Sequence, residues 1–166
     1  MKAHQLITAI SPELQQEILN YLQKETREAF NTALFQVGAG RKLRPQYFNR
    51  KSPAERVTWL LGCLKTKACD SIAEQLFQLW LLKAKAGMLT TFLDAVGIKH
   101  DGKGQVDELP DDLDADKVAA GVEEMLKEHS GEHITVYLRI FQLQRKEGWT
   151  AVADALEKRP ELKLAA

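Results

Sequence analysis

His129, Glu132 and His133 spell H-x-x-E-H, a spacing that can hold zinc on one helical turn. That chemistry needs both imidazoles on one face, a carboxylate beside them as base, and a third protein ligand. Here Ser130-Gly131 falls between the histidines. A glycine after a helix favours the left-handed cap, so the two histidines are expected on different helices. The third ligand would have to come from Glu147, Asp154 or Glu157, near the end of a short chain. A small metal-dependent enzyme around His129, His133 and His100 is therefore the last of three functional readings. A His129 that ends a helix, favourable against the helix dipole, and an exposed His133 account for the same letters.

Asp101-Gly102-Lys103-Gly104-Gln105-Val106-Asp107-Glu108 has the outline of a calcium loop. Counted from Asp101, the third position is Lys103, the sixth is Val106 and the twelfth is Asp112. An EF-hand loop needs oxygen ligands, glycine and glutamate there. A surface turn is expected. No glycine-rich phosphate cradle is present, and Ser52, Ser71 and Ser130 read as helix caps rather than nucleophiles. Cys63 lies on an apolar helical face, a poor place for a thiolate. Cys63 and Cys69 are expected as free thiols in a reducing, cytoplasmic setting. No cofactor is expected.

Charge carries the stronger signal. The 166 residues hold 23 Lys+Arg and 23 Asp+Glu, which excludes a uniformly basic nucleic-acid protein. The balance is uneven along the chain. Residues 41–67 hold eight cations against Glu55 alone, a local charge of +7. Residues 101–128 hold ten acids and three lysines, a local charge of −7. Within the basic block, Arg41, Lys42, Arg44, Tyr47, Arg50 and Lys51 are the candidate anion-binding residues. Cations neutralise phosphates, and Tyr47, Phe48 and Trp59 could stack bases. Tyr47 and Phe48 could equally staple the connector to the core.

These blocks must be positioned by helices. Ser11-Pro12 opens a helix in which Leu14, Ile18, Leu22, Phe30 and Leu34 keep helical spacing, so one long amphipathic helix is expected up to Gly38. Ser52-Pro53-Ala54-Glu55 is a capping box. Asp70 is expected to cap a buried central helix near 71–86, with a stop or kink at Gly87. Gly97 suits a helix end, Asp114 or Asp116 a helix start, and Thr150 the start of a last short helix.

The fold class is therefore all-α: a single-domain helical bundle over 1–166 of about six to seven helices, with loosely ordered tails at 1–10 and 160–166. The apolar run 76–82 is far short of the ~20 residues of a membrane span. The leading functional expectation is a non-catalytic helical interaction module with a protein partner or a second copy of itself. The alternative is nucleic-acid or anionic-ligand binding through 41–67.

Overall fold

Residues 23–28 are six consecutive polar residues, and they divide what the apolar spacing reads as one long helix. The computed structural model describes residues 1–164. In it α2 spans Pro12–Glu25 and α3 spans Arg27–Gly40, with Thr26 between them out of helical geometry (φ −128°, ψ 52°). Both the Thr26 N–H and its Oγ1 hydroxyl donate to the Leu22 carbonyl. No apolar side chain in that stretch holds the helix in register, and a hydroxyl bonding back to the helix competes with its continuation.

The described residues form ten α-helices, two short 3-10 turns and no strand. The fold is all-α, with more and shorter helices than the sequence spacing implies. No helix among the described residues is long and apolar enough to cross a membrane. The chain's contacts gather into two compact units, Met1–Trp80 and Leu81 onward.

The first unit starts with a helix where a loose tail is expected. Residues 1–10 are no loose tail: α1 spans Ala3–Ala9, and Ala3, Leu6, Ile7 and Ile10 are buried. Two polar groups secure it. Gln15, itself buried, donates its amide to the Ile7 carbonyl at 2.7 Å and the Ile10 carbonyl at 3.3 Å, which serves helix-end oxygens that lack intrahelical partners. Asp70 Oδ1 accepts from the His4 backbone N–H at 3.0 Å and lies 2.7 Å from His4 Nδ1. The Asp70 carboxylate is thus engaged with α1 rather than acting as a free cap. Burial pushes its pKa up, but the His4 backbone and ring outweigh that and hold the carboxyl below its usual range.

Within this unit α2 packs on α3 and on α5, which spans Pro53–Leu64, and α3 packs on α5. Leu22, Phe30, Leu34, Leu60 and Leu64 are fully buried in its core. The short α4, Pro45–Asn49, joins α3 to α5. After a 3-10 turn at Lys67–Cys69, α6 runs Asp70–Ala84 through the boundary between the units. It buries Ala73, Leu76, Phe77, Trp80 and Leu81, while Ser71, Gln75 and Lys83 are exposed.

The helix breaks at Lys85 rather than Gly87, and α7 spans Ala86–Val96. Gly97 ends it in the left-handed region at φ 76°. In this second unit α7 packs extensively on α8, Ala115–Leu126. Asp114 caps α8 by accepting from the N–H groups of Asp116 and Lys117. Then come α9, Gly131–Leu143, and α10, Thr150–Lys158. Trp149, not Thr150, holds the cap position of α10, and its backbone is gripped by the Gln142 amide: Oε1 accepts at 2.7 Å and Nε2 donates at 3.1 Å.

The segment after α10 is also firmer than a loose tail. Pro160–Leu162 form a 3-10 turn, Leu162 is buried, and the Thr135 hydroxyl donates to the Leu162 carbonyl at 2.9 Å. Ala165 and Ala166 lie outside the described residues.

Candidate anion-binding surface

The basic connector is held from beneath by one ring. Phe48 is fully buried. Its centroid lies 4.8 Å from Trp59 and 6.0 Å from Phe35. It rests directly on Gly38, where a β-carbon would come within 2.6 Å of the ring. The Phe48 carbonyl accepts from Arg56 Nε at 2.9 Å, which ties the end of α4 to α5. The reciprocal box closes the start of α5: Glu55 N–H to Ser52 Oγ at 3.2 Å, and Ser52 N–H to Glu55 Oε1 at 3.0 Å. Gln23 Nε2 donates to the Pro53 carbonyl at 2.9 Å.

On the outside of this anchored backbone stand the cations. Arg41, Lys42, Arg44 and Arg50 are exposed, and Lys51 is half-buried. None of the five enters a salt bridge among the described residues. Tyr47 is 42% exposed, with its ring edge-on to Phe48 and Lys51 Nζ 5.0 Å from its centroid. The adjacent pair therefore divides: Phe48 staples the connector and Tyr47 faces solvent. The structure brings all six candidate residues onto one short segment between α3 and α5.

Lys42 is unusual. At φ 63° it is the only non-glycine in the left-handed region among the described residues. The position follows the end of α3, where the Lys42 N–H bonds the Ala39 carbonyl and the Leu43 N–H bonds the Gly38 carbonyl. Glycine fits this helix-ending geometry best, and a side chain there costs of order 1 kcal/mol.

The other candidates come apart or serve the fold. His129 lies three residues past the end of α8, its N–H bonding the Met125 carbonyl, and His133 sits in the first turn of α9 behind the Ser130 cap. The separation expected from Ser130-Gly131 is observed for a different reason. Gly131 is not left-handed: it is the first residue of α9, pressed against the Glu161 carbonyl. Burial, then Lys85, push the His129 imidazole below its usual range. His100 places Nε2 2.7 Å from Asp94 and accepts the Gly102 N–H at Nδ1, which leaves Nε2 to carry the proton. Among the described residues no group of three or more His, Cys, Asp or Glu is placed to hold a metal ion. Cys63 is buried, and burial pushes its thiol up while the nearby Arg41 charge offsets only part.

The calcium-like string is a turn built by its own side chain. Asp101 Oδ1 accepts the Lys103 and Gln105 N–H groups, and these bonds hold its carboxyl below the usual range. Beside it, a cleft of about 390 Å³ is lined by Val96, Ile98, Leu109, Leu113 and Lys117, among others. None of the candidate cations lines it.

The cations are plain in the sequence, whereas the contacts that Gly38, Phe35 and Arg56 make beneath them are not. Their only signal in the sequence is the pairing of one glycine with one aromatic ten residues later, and many such pairs carry no contact. No family model matches the chain, and neither a curated protein nor a solved structure does.

Proposed function

We propose that this chain is a helical interaction module, and that the ridge at residues 41–51 is its docking surface for an anionic partner. Binding rather than turnover is the role. The observation that carries this reading is a set of five cations without ion pairs on a backbone pinned by Phe48, Gly38 and Arg56. Charges on a pre-set backbone lose less entropy on docking than charges on a mobile loop. A cytoplasmic setting goes with the proposal and is supported by the two free cysteines.

Tyr47 favours single-stranded nucleic acid as one form of that anion. An exposed aromatic ring among cations is the usual partner of an unpaired base. The test is binding of a random single-stranded oligonucleotide over a salt series. Log affinity is expected to fall linearly with log salt, by about 0.7 per phosphate contacted. Arg44→Ala with Arg50→Ala should reduce that slope by about 1.4, two contacts' worth. Absence of binding to the oligonucleotide and to a sulfated polysaccharide at low salt, in a chain that is monomeric there, would remove the docking surface altogether.

Lys42 gives a second prediction. Lys42→Gly relieves the left-handed backbone and is expected to raise stability by up to about 1 kcal/mol in urea unfolding. The same change removes one cation, so oligonucleotide affinity should drop. A variant that is more stable and binds as well as the parent would show that the strained lysine has no part in docking.

A further inference from the structure

We propose that the basic ridge of one copy docks on the acidic loop of a second copy of this chain. This rests on the ridge reading above and names the ridge's partner.

The acidic block is less diffuse than its composition suggests. Four of its carboxylates are already engaged. Asp101 accepts two backbone N–H groups, and Asp114 caps α8. Glu123 pairs with Arg159, and Glu124 with Lys127. Five others, Asp107, Glu108, Asp111, Asp112 and Asp116, are exposed and enter no salt bridge among the described residues. They fall within ten residues of chain.

The backbone that carries them is anchored as firmly as the ridge. Trp149, itself buried, donates Nε1 to the Pro110 carbonyl at 2.9 Å. Arg145 donates to the Asp111 carbonyl. Upstream, Gly104 is buried at φ 97°, where a β-carbon would come within 2.9 Å of Leu89 Cβ. Neither surface has to be ordered before the two meet, so their mutual attraction is not spent on fixing loops.

The complement to the ridge is thus present in every copy, at the same concentration and with the same number of charges. A formal net charge of zero leaves no long-range repulsion between copies near neutral pH. Opposed charged patches on two approaching copies steer the encounter and set its register.

The test is light scattering and sedimentation of the purified chain over a concentration series. Association is expected at about 0.01 M salt and should weaken about tenfold or more by about 0.15 M, as the Debye length contracts from about 30 Å to about 8 Å. Arg44→Glu with Arg50→Glu should give a monomer, and so should Asp111→Lys with Asp112→Lys. Circular dichroism confirms that both variants keep their helices. An equimolar mixture of the two should associate again, because the loop variant keeps the parent ridge and the ridge variant keeps the parent loop, so one intact pair of patches is restored between them. A parent chain that is monomeric at low salt overturns the proposal. If that monomer still binds the oligonucleotide through Arg44 and Arg50, the ridge reading stands; if it binds none, both fall. Association that survives either reversal, or a mixture that stays monomeric, also overturns it.

Discussion

Phe48→Ala is expected to lower stability by about 3–5 kcal/mol, the range for deleting a fully buried phenylalanine. Against a typical total of about 5–15 kcal/mol this is a large loss for a residue in a five-residue helix. The reason lies in what the ring touches. It packs edge-on against Trp59, tilted on Phe35, and fills the space that a side chain at Gly38 would take. The cavity has two walls on regular helices, α3 and α5, which cannot collapse into it without giving up their own contacts. Partial relaxation of that kind is what makes the cost of such deletions high. Urea unfolding should show a lower midpoint with an unchanged slope. Binding should also suffer, because the five cations would then stand on an unpinned connector. A cost below about 1 kcal/mol would mean that the ring is not the anchor.

Gly131→Ala is the second large effect, and its sign is informative. By helix propensity alone, alanine in place of glycine at the start of α9 should stabilise by up to about 1 kcal/mol. The structure places the Glu161 carbonyl oxygen where the new methyl group would go. Because the obstacle is backbone, no side-chain rotation relieves it. The 3-10 turn at Pro160–Leu162 must move, with loss of the Thr135–Leu162 hydrogen bond and of Leu162 burial. Overpacking of this kind costs about 1–3 kcal/mol, so net destabilisation is expected. Hydrogen exchange should quicken at residues 162 and 163, whose N–H groups bond Arg159 and Pro160. In a chain shortened after Arg159 the same substitution should become neutral or stabilising. Destabilisation of equal size in the shortened chain would show that the 160–162 turn is not the obstacle.

What the sequence declares and what it withholds follow from distance along the chain. Ser11, Ser52, Asp114 and Ser130 cap helices as their letters suggest, because a cap bonds groups two or three residues away. Gly97 takes the left-handed end for the same local reason. The misread elements depend on remote partners. Asp70 reads as a cap until His4 arrives from 66 residues away. Gly131 reads as a helix stop because Glu161 cannot be seen from it. The first ten residues read as a tail because the groups that fasten α1, Gln15 and Asp70, lie outside them. The candidate surface divides the same way. Its cations and their count are plain in the letters. That Phe48 turns inward while Tyr47 turns outward is not, since neighbouring aromatic residues carry no local preference for either side.

The edge-on packing of Phe48 against Trp59 also gives the chain an optical signal of its own. Trp80 and Trp149 are buried and shielded from solvent. Trp59 is only half-buried and lies 4.8 Å from the ring that underpins the cations. Of the three indoles it is the one whose emission colour and quenching answer to events at the ridge. Occupancy of that surface can therefore be followed by the light of an unlabelled chain.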